Sequence, residues 1–131
     1  MQLTILTPHR KLVENVSVDE VVAPGFLGML DMLEGHADFV TPLETGVIKW
    51  RLGDKWSTAT ISHGILEVNH GHMSVMADVS EMSTEIDVGR AKKAYEISKQ
   101  KIDEGGLDES SFYKQELKMK RAIARISAGG E

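Results

Sequence analysis

The stretch GVIKWRLGDKWSTATI, residues 46–61, predicts two β-strands joined by a tight turn. Gly53 and Asp54 supply the turn signal, and residues of high strand propensity flank it on both sides. Further short apolar runs bounded by turn residues occur at 3–7, 16–23, 64–68 and 72–76. Many short strands with breakers at intervals of about 8 to 12 residues indicate a β-sandwich or barrel. The first part of the chain is therefore predicted to be an all-β domain.

The composition of the chain changes near Thr84. All 3 prolines and all 5 histidines lie before this point. By count, residues 1–84 carry 5 basic and 11 acidic side chains, net −6, and residues 85–131 carry 10 and 9, net +1, which sum to the formal charge of −5. A sandwich domain over 1–84 and a second domain over 85–131 are predicted, with separate roles.

The second domain has a helical period and begins with a cap. Ser83 or Thr84 can cap a helix over about residues 86–103, and the pair Gly105-Gly106 ends it. A second helix follows directly after this short glycine turn. Two helices joined in this way form an antiparallel helical hairpin.

The second predicted helix has two distinct faces. Asp108 caps it, it spans about residues 109–127, and Gly129-Gly130 ends it. At about 100° per residue one face carries the basic stripe, which consists of Lys114, Lys118, Arg121 and Arg125. The opposite face carries Phe112, Met119, Ile123 and Ile126. The simplest interpretation turns the apolar face inward and the basic stripe to water. The alternative is that the hairpin leaves its neighbour and offers the stripe to a second partner.

The sequence predicts no catalytic residue and no metal site. It lacks the sequence motifs of P-loop, zinc-protease, serine-hydrolase and dinucleotide-binding sites. His70 and His72 flank a turn glycine, but recognisable third and fourth ligands are missing, so we expect exposed polar residues there. The carboxylates of Asp31, Glu34 and Asp38 are likewise predicted to be solvated. A small β-barrel enzyme is accordingly a poor interpretation.

Charge and composition exclude further classes of function. A net charge of −5 disfavours nucleic-acid binding, because affinity for phosphates comes from Lys and Arg. The chain has no cysteine, which removes disulfides and thiolate chemistry and fits a reducing compartment. No apolar run approaches the roughly 18 residues of a membrane span, and residues 1–10 do not resemble a signal peptide. We expect a soluble protein on the cytoplasmic side of a membrane.

The segment 24–37, PGFLGMLDMLEGHA, combines loop-forming residues with six large apolar side chains. Three glycines and a proline disfavour regular structure over much of its length. One interpretation folds the apolar side chains inward as a short strand, and periodicity favours it. The other leaves some of them outside as a docking edge, since exposed apolar clusters commonly mark interfaces.

The chain as a whole resembles the epsilon subunit family of bacterial rotary F-type ATP synthases. Each matching motif is weak alone, but their order and spacing before a helical pair are specific. The motifs are Val21–Gly25 followed by Gly28, Gly35–Ala37, Leu43–Val47, Ser62–Val68 and Val75–Asp78.

The resemblance implies a fold of about ten strands in a β-sandwich followed by two helices. It implies a non-catalytic subunit that joins the gamma subunit to the ring of membrane c subunits, peripherally on the cytoplasmic side of the bacterial inner membrane. Met29, Leu30 and His36 match the positions where contact with the c ring is expected. The family commonly has glutamate, glycine and proline where this chain has Met29, Asp31 and Glu34.

The resemblance also implies regulation by the helices. When extended, the basic stripe would meet acidic segments of the alpha and beta catalytic subunits and block ATP hydrolysis, through a population shift of the hairpin.

Some relatives bind ATP between the folded helices as a regulatory ligand, with no cofactor required for function. The matching residues here are Ile86, Asp87, Arg90, Ala91, Arg121 and Arg125. A structural alternative is that Asp87 only favours the helix dipole and Arg90 makes a local ion pair. A stand-alone ATP-sensing module is the second functional interpretation.

Overall fold

The computed structural model describes residues 1–129, with eight β-strands, a short 3-10 turn and two α-helices. The strands are β1 (Gln2–Leu6), β2 (Lys11–Ser17), β3 (Glu20–Gly25), β4 (Gly28–Leu33), β5 (Phe39–Leu43), β6 (Gly46–Leu52), β7 (Lys55–Asn69) and β8 (His72–Val79). The 3-10 turn covers Ser83–Glu85, and the helices are α1 (Val88–Glu104) and α2 (Glu109–Gly129). No helix within residues 1–129 is long and apolar enough to cross a membrane.

The strands form one sheet that folds back on itself. Its order is β2-β1-β8-β7-β5-β3-β4, and β6 pairs with both β3 and β7. This pairing closes a circuit of strands and encloses the core between two layers. All neighbours are antiparallel except β1 and β8, which run parallel. The predicted sandwich followed by a helical hairpin is confirmed.

β7 accounts for one of the two strands by which the structure differs from the expected ten. The sequence predicts separate strands at 55–61 and 64–68, but β7 runs unbroken over 15 residues. Its first half pairs with β6 and its second half with β5 and β8. His63, at the junction, has φ 48°, and a Cβ added to Gly64 would lie 2.9 Å from the Met76 carbonyl oxygen. The register with β8 is the same on both sides of the junction, so a bend within one continuous strand, rather than a turn, carries β7 from one layer to the other.

The core lies between the layers and is built from alternate residues of the strands. Its largest fully buried side chains are Leu3, Ile5, Val18, Val21, Met32, Ile48, Ile61, Leu66, Met73 and Val75. Apolar side chains at every second position of a strand point to the same face, which explains why these residues share one interior. The sandwich is therefore a rigid body with its own core.

The apolar segment after Pro24 forms β4, paired antiparallel to β3. Met32 is buried and Leu30 packs against the core, whereas Met29 and Leu33 are exposed. Side chains that alternate between the two faces of a strand produce this division. The inward interpretation therefore holds for Leu30 and Met32, and the docking-edge interpretation holds for the four exposed side chains, Phe26, Leu27, Met29 and Leu33.

α1 begins later than the sequence predicts. Its cap is Asp87, whose Oδ1 accepts from the Arg90 amide at 3.0 Å, whereas the expected caps lie in the 3-10 turn Ser83–Glu85. The helix ends at Gly105, with φ 71°, as predicted.

α2 begins as predicted, with Asp108 Oδ1 accepting from the Ser111 amide at 2.7 Å. Hydrogen bonds from Ser111 lower the pKa of the Asp108 carboxyl. The helix continues to Gly129, and Gly130, which was expected to end it, lies outside the described residues.

The hairpin is folded against the sandwich. α2 packs on α1 along one side and on β6 and β7 along another. Its buried apolar residues are the alanines Ala122, Ala124 and Ala128. A Cβ added to Gly129 would lie 2.6 Å from a methyl carbon of Val88, so α2 ends in close contact with the start of α1.

Candidate functional site

An exposed row of apolar residues crosses the outer face of the sandwich. We call Leu6, Met76, Ile65, Pro42 and Phe26 the apolar belt. Leu6 pairs with Met76, Met76 with Ile65, and Ile65 with Pro42, so four strands place them side by side. The Phe26 amide donates to the Pro42 carbonyl at 3.2 Å and extends the row to the β3–β4 turn. Such a contiguous apolar surface is typical of a protein interface.

The belt forms the floor of a groove of about 980 Å³. Tyr113 and Leu117 of α2 form one wall. The carboxylates of Glu44 and Asp78 and the ammonium group of Lys120 also line it. The groove can accept an apolar protein segment with basic flanking residues.

A second exposed surface is the β3–β4 turn, with Phe26, Leu27, Gly28 and Met29, which we call the tip. Leu27 is 96% exposed and Met29 63% exposed. Gly28 has φ 130°, a conformation that favours glycine. The tip projects apolar side chains that the core does not use.

The three residues predicted to meet the c ring have different environments. Met29 is exposed at the tip, but Leu30 packs against the core. His36 is exposed and stacks against Phe39, with ring centroids 4.9 Å apart. The structure therefore leaves Met29 and His36 accessible, while Leu30 has mainly a packing role.

The basic stripe is divided between solvent and the sandwich. Lys114 and Lys118 are exposed. Arg121 Nε donates to Ser62 Oγ at 3.2 Å, and Arg125 Nε donates to Glu81 Oε1 at 2.6 Å. The expectation that the whole basic face turns to water is thus wrong for the two arginines, because the sandwich supplies acceptors.

The apolar face of α2 also departs from the simple prediction. Phe112 is 45% exposed and Ile123 is 49% exposed. The side of α2 that meets the sandwich carries instead the buried Ala124 and the arginines Arg121 and Arg125, which bond to Ser62 and Glu81. Periodicity correctly identifies two faces, but not which of them the sandwich covers.

A basic cleft of about 290 Å³ lies between the two helices, and we call it the hairpin cleft. Its lining residues are Val79, Ala94, Ile97, Ser98, Lys101, Gln115, Lys118, Arg121 and Arg125. Gln115 is 9% exposed, and its buried Oε1 has no hydrogen-bond partner within residues 1–129. The Gln115 amide oxygen can therefore accept a hydrogen bond from a ligand or from water.

A second cavity of about 330 Å³ adjoins the first and shares Ala94 and Arg125 with it. It gathers five of the six residues predicted to bind ATP, namely Ile86, Asp87, Arg90, Ala91 and Arg125. The sixth, Arg121, lines the hairpin cleft instead. Glu81 and Glu85 also line this cavity, so its charge is mixed.

The candidate carboxylates do not form a catalytic pair. A hydrogen bond with Glu20 raises the pKa of the exposed Asp31 carboxyl, and Arg51 Nε binds Glu20 Oε1 at 3.1 Å. The His70 amide donates to Asp38 Oδ1 at 2.9 Å. In the described part of the chain, no group of three or more His, Cys, Asp or Glu side chains is arranged to hold a metal ion.

Family profiles match both structural parts of the chain. The profile described as "ATP synthase, Delta/Epsilon chain, beta-sandwich domain" matches residues 1–83. The profile described as "ATP synthase, Delta/Epsilon chain, long alpha-helix domain" matches residues 84–130. The chain belongs to the ATP synthase delta/epsilon family.

Relatives within the epsilon family cover nearly the whole chain. The ATP synthase epsilon chain of Bdellovibrio bacteriovorus is 35% identical over 98% of this chain and 93% of its own length. That of Desulforamulus reducens is 37% identical over 97% of this chain and 95% of its own length. This likeness places the chain among the epsilon subunits of the F-type central stalk.

Solved structures confirm the fold. A chain from the "Euglena gracilis mitochondrial ATP synthase, OSCP/F1/c-ring in rotational state 1" matches with a TM-score of 0.86 at 22% identity. The match covers 100% of this chain and 81% of that one. A chain from the Tetrahymena thermophila mitochondrial ATP synthase central stalk and c ring matches with a TM-score of 0.69 at 13% identity, covering 98% and 95%.

Sequence reasoning missed the belt and the contacts between the two domains. Ile65-Leu66 and Val75-Met76-Ala77 are continuous apolar runs, which are typical of strands covered on both faces. That signal could have identified Ile65 and Met76 as interface residues. Glu81 and its partner Arg125 give no such signal, because they are 44 residues apart in the chain.

Proposed function

We propose that this epsilon-family chain is a non-catalytic part of the rotor that joins the gamma subunit to the c ring and transmits rotation during ion-driven ATP synthesis. The observation that supports this most is the presence of two exposed apolar surfaces, the belt and the tip, which adjoin at Phe26 on one rigid sandwich. A body that couples two partners needs two docking surfaces and little internal flexibility. As part of the complex it would lie peripherally on the cytoplasmic side of the bacterial inner membrane.

The belt is the proposed gamma-binding surface, and the tip is the proposed contact with the c ring. The belt spans four strands whose positions are fixed by the core. The tip is smaller and ends in Leu27, whose side chain is almost fully exposed. A small projecting tip can contact the loops of a membrane ring, whereas a broad groove suits a larger partner surface.

Met29→Asp tests the tip. The substitution should lower ATP-driven ion pumping per ATP hydrolysed in membrane vesicles. This chain has Met29 where the family commonly has glutamate, so the ring surface that it meets is expected to be apolar, and a carboxylate there would be desolvated. The melting temperature of the isolated chain should hardly change, since surface substitutions usually alter stability by less than about 0.5 kcal/mol.

The matched control for the tip is Leu52→Asp, which introduces the same charge at the end of β6, beside the end of β3 that lies away from the tip. Leu52 is 54% exposed, close to Met29 at 63%. Equal loss of pumping in both variants, or a large loss of stability in Met29→Asp, would contradict the assignment.

We further propose that the hairpin restrains ATP hydrolysis. In the folded position Arg121 and Arg125 are held by the sandwich, so half of the basic stripe is withheld from other subunits. Extension of the hairpin would free all four cations to meet acidic segments of the alpha and beta subunits.

The contacts that hold the hairpin are weak enough for such a change. The Arg125 and Glu81 side chains are 35% and 28% exposed, and pairs this accessible typically contribute about 1 kcal/mol or less. The buried alanines of α2 add only about 0.8 kcal/mol for each buried methyl group. The free energy that these contacts contribute to the folded position is therefore small. A regulatory ligand can then shift the population between the folded and the extended hairpin.

ATP is the proposed regulatory ligand of the folded hairpin. Two adjoining cavities of unlike character support this: the hairpin cleft is basic, and the cavity at the start of α1 is mixed. Phosphates suit the cleft lined by Lys101, Lys118 and Arg121, because Glu81 and Glu85 would repel them in the other cavity.

Arg125→Gln tests ATP binding, because Arg125 lines both cavities. The affinity of the isolated chain for ATP, measured by calorimetry, should fall by about tenfold or more, since a hydrogen bond to a charged group contributes roughly 1.5 to 3 kcal/mol. Lys120→Gln removes the same charge from the other side of α2 and should leave the affinity unchanged. If Arg125→Gln and Lys120→Gln had the same affinity for ATP, Arg125 would not belong to the ATP site.

Co-purification separates this proposal from a stand-alone ATP sensor. If the chain is a rotor subunit, the gamma subunit should co-purify with it when the complex is expressed, but should not co-purify with the Ile65→Asp variant. A free sensor would bind ATP and recover neither gamma nor the c ring.

A further inference from the structure

The segment that follows β8 is bonded to the sandwich rather than free. The Ser80 hydroxyl donates to the Thr60 carbonyl at 2.7 Å, and the Thr60 amide donates to the Glu81 carbonyl at 2.8 Å. The Glu81 amide in turn donates to Thr60 Oγ1 at 3.1 Å. Met82 bridges Ala59 in antiparallel fashion and packs against the core. These residues behave as a short extra strand on β7.

Arg10, in the β1–β2 loop, holds the same segment from the other side. Its guanidinium donates to the Ser80 carbonyl at 3.2 Å and to both carboxylate oxygens of Glu85, at 3.2 and 2.6 Å. The bond with Glu85 raises the pKa of the Arg10 guanidinium. Bidentate pairing of this kind fixes orientation as well as distance. The 3-10 turn Ser83–Glu85 is thus fastened to the sandwich at its end.

The backbone becomes extended directly after Glu85. Ile86 has φ −85° and ψ 126°, and Asp87 has φ −87° and ψ 99°, so both are extended between two helical pieces. Within residues 1–129 neither makes a hydrogen bond to the sandwich. Gly89, in the first turn of α1, weakens the start of the helix by about 1 kcal/mol relative to alanine. Hinges are commonly a few such element-terminal residues.

We propose that the hairpin pivots at Ile86 and Asp87, and that residues 80–85 stay with the sandwich when it moves. Release of the hairpin then breaks the Arg121–Ser62 and Arg125–Glu81 contacts but leaves Arg10 bound to Glu85. Arg10 is a positioning residue, because it fixes where the pivot lies without touching any partner. This inference rests on the proposed two positions of the hairpin and adds the point about which they interconvert.

Spin labels on introduced cysteines can locate the pivot, because the chain has no cysteine of its own. Lys55, Thr84 and Gln100 are exposed and report on the sandwich, the fastened segment and α1. Pulsed electron paramagnetic resonance on the assembled complex, with and without ATP, would give two distance distributions. The Lys55–Gln100 distance should have two populations, and the Lys55–Thr84 distance should have one.

The outcomes distinguish the pivot from the movement itself. Two populations in both distances would place the pivot before Thr84 and overturn this inference while leaving a mobile hairpin. A single Lys55–Gln100 population under every condition would overturn the two positions, and the pivot with them.

Arg10→Gln gives an independent test in the full chain. Loss of the clamp should widen the Lys55–Thr84 distribution, because Glu85 no longer has its bidentate partner. Lys11→Gln is the matched control, since it removes the same charge from the neighbouring exposed residue, whose pair with Glu14 at 3.4 Å is local. Equal distributions in Arg10→Gln and the unmodified chain would show that Arg10 does not position the segment.

Discussion

Replacing Ile65 by aspartate is expected to lower the affinity of the chain for a gamma subunit by about 30-fold or more, equivalent to about 2 kcal/mol. Ile65 lies in the middle of the belt, between Pro42 and Met76, and is 47% exposed in the isolated chain. Central apolar residues contribute most of the free energy of binding at an interface. A carboxylate there would be buried without a partner, so the complex is destabilised while the free chain keeps its fold.

The measurement for Ile65→Asp is the binding of the purified chain to gamma by surface plasmon resonance, with melting temperatures recorded for both forms. Leu52→Asp serves as the control, because Leu52 has similar exposure but lies at the end of β6, outside the belt. Unchanged affinity in Ile65→Asp would show that gamma binds elsewhere. A large fall in its melting temperature would instead assign Ile65 a role in the fold.

The strand hairpin 46–61 is the part of the fold that the sequence predicts best, because local turn chemistry and alternation both specify it. The junction at Ser62-His63-Gly64 is predicted poorly, since a glycine there is equally suited to a turn or to a bent, continuous strand. The pairing of Ser62 and Gly64 with β8 in one register, and the close approach of Gly64 to its backbone, decide for the continuous strand. Tertiary contact, not local preference, sets the number of strands.

The start of α1 shows a similar limit. Ser83, Thr84 and Asp87 are all good capping residues, so local chemistry allows each of them. The bonds of residues 80–82 to β7 and of Glu85 to Arg10 hold the first two in a 3-10 turn and leave Asp87 as the cap. These partners come from distant parts of the chain, which periodicity cannot identify.

The candidate site could be predicted in residue type but not in arrangement. Ile86, Asp87, Arg90, Ala91 and Arg125 line one cavity, but Arg121 lines the hairpin cleft, and binding of ATP stays a prediction. The orientation of the basic stripe depends on Ser62 and Glu81, which accept hydrogen bonds from its two arginines. Helical periodicity identifies the stripe but contains no information about acceptors on another domain.

Removing the hairpin after Glu85 is expected to raise ATP hydrolysis by the assembled complex several-fold, and neutralising two lysines should give part of that rise. Lys114→Gln/Lys118→Gln is the informative variant, because both side chains are exposed in the folded position. Each exposed ion pair contributes about 0.2 to 1 kcal/mol, so loss of two should weaken the inhibitory contact by about two- to 30-fold. High salt should reduce the difference between this variant and the unmodified chain by screening the same contacts.

The arginines of the stripe are less informative than the lysines, because their neutralisation has two opposing effects. It weakens the contact with the catalytic subunits, but it also removes the bonds to Ser62 and Glu81 that favour the folded, non-inhibiting position. Lys93→Gln/Lys99→Gln makes the same charge change on exposed positions of α1 and is the control. Faster hydrolysis in the α2 variant alone, at equal incorporation into the complex, would identify the stripe as the inhibitory surface. If the hydrolysis rates with both lysine variants and with the truncated chain equalled the rate with the unmodified chain, the hairpin would have no inhibitory role.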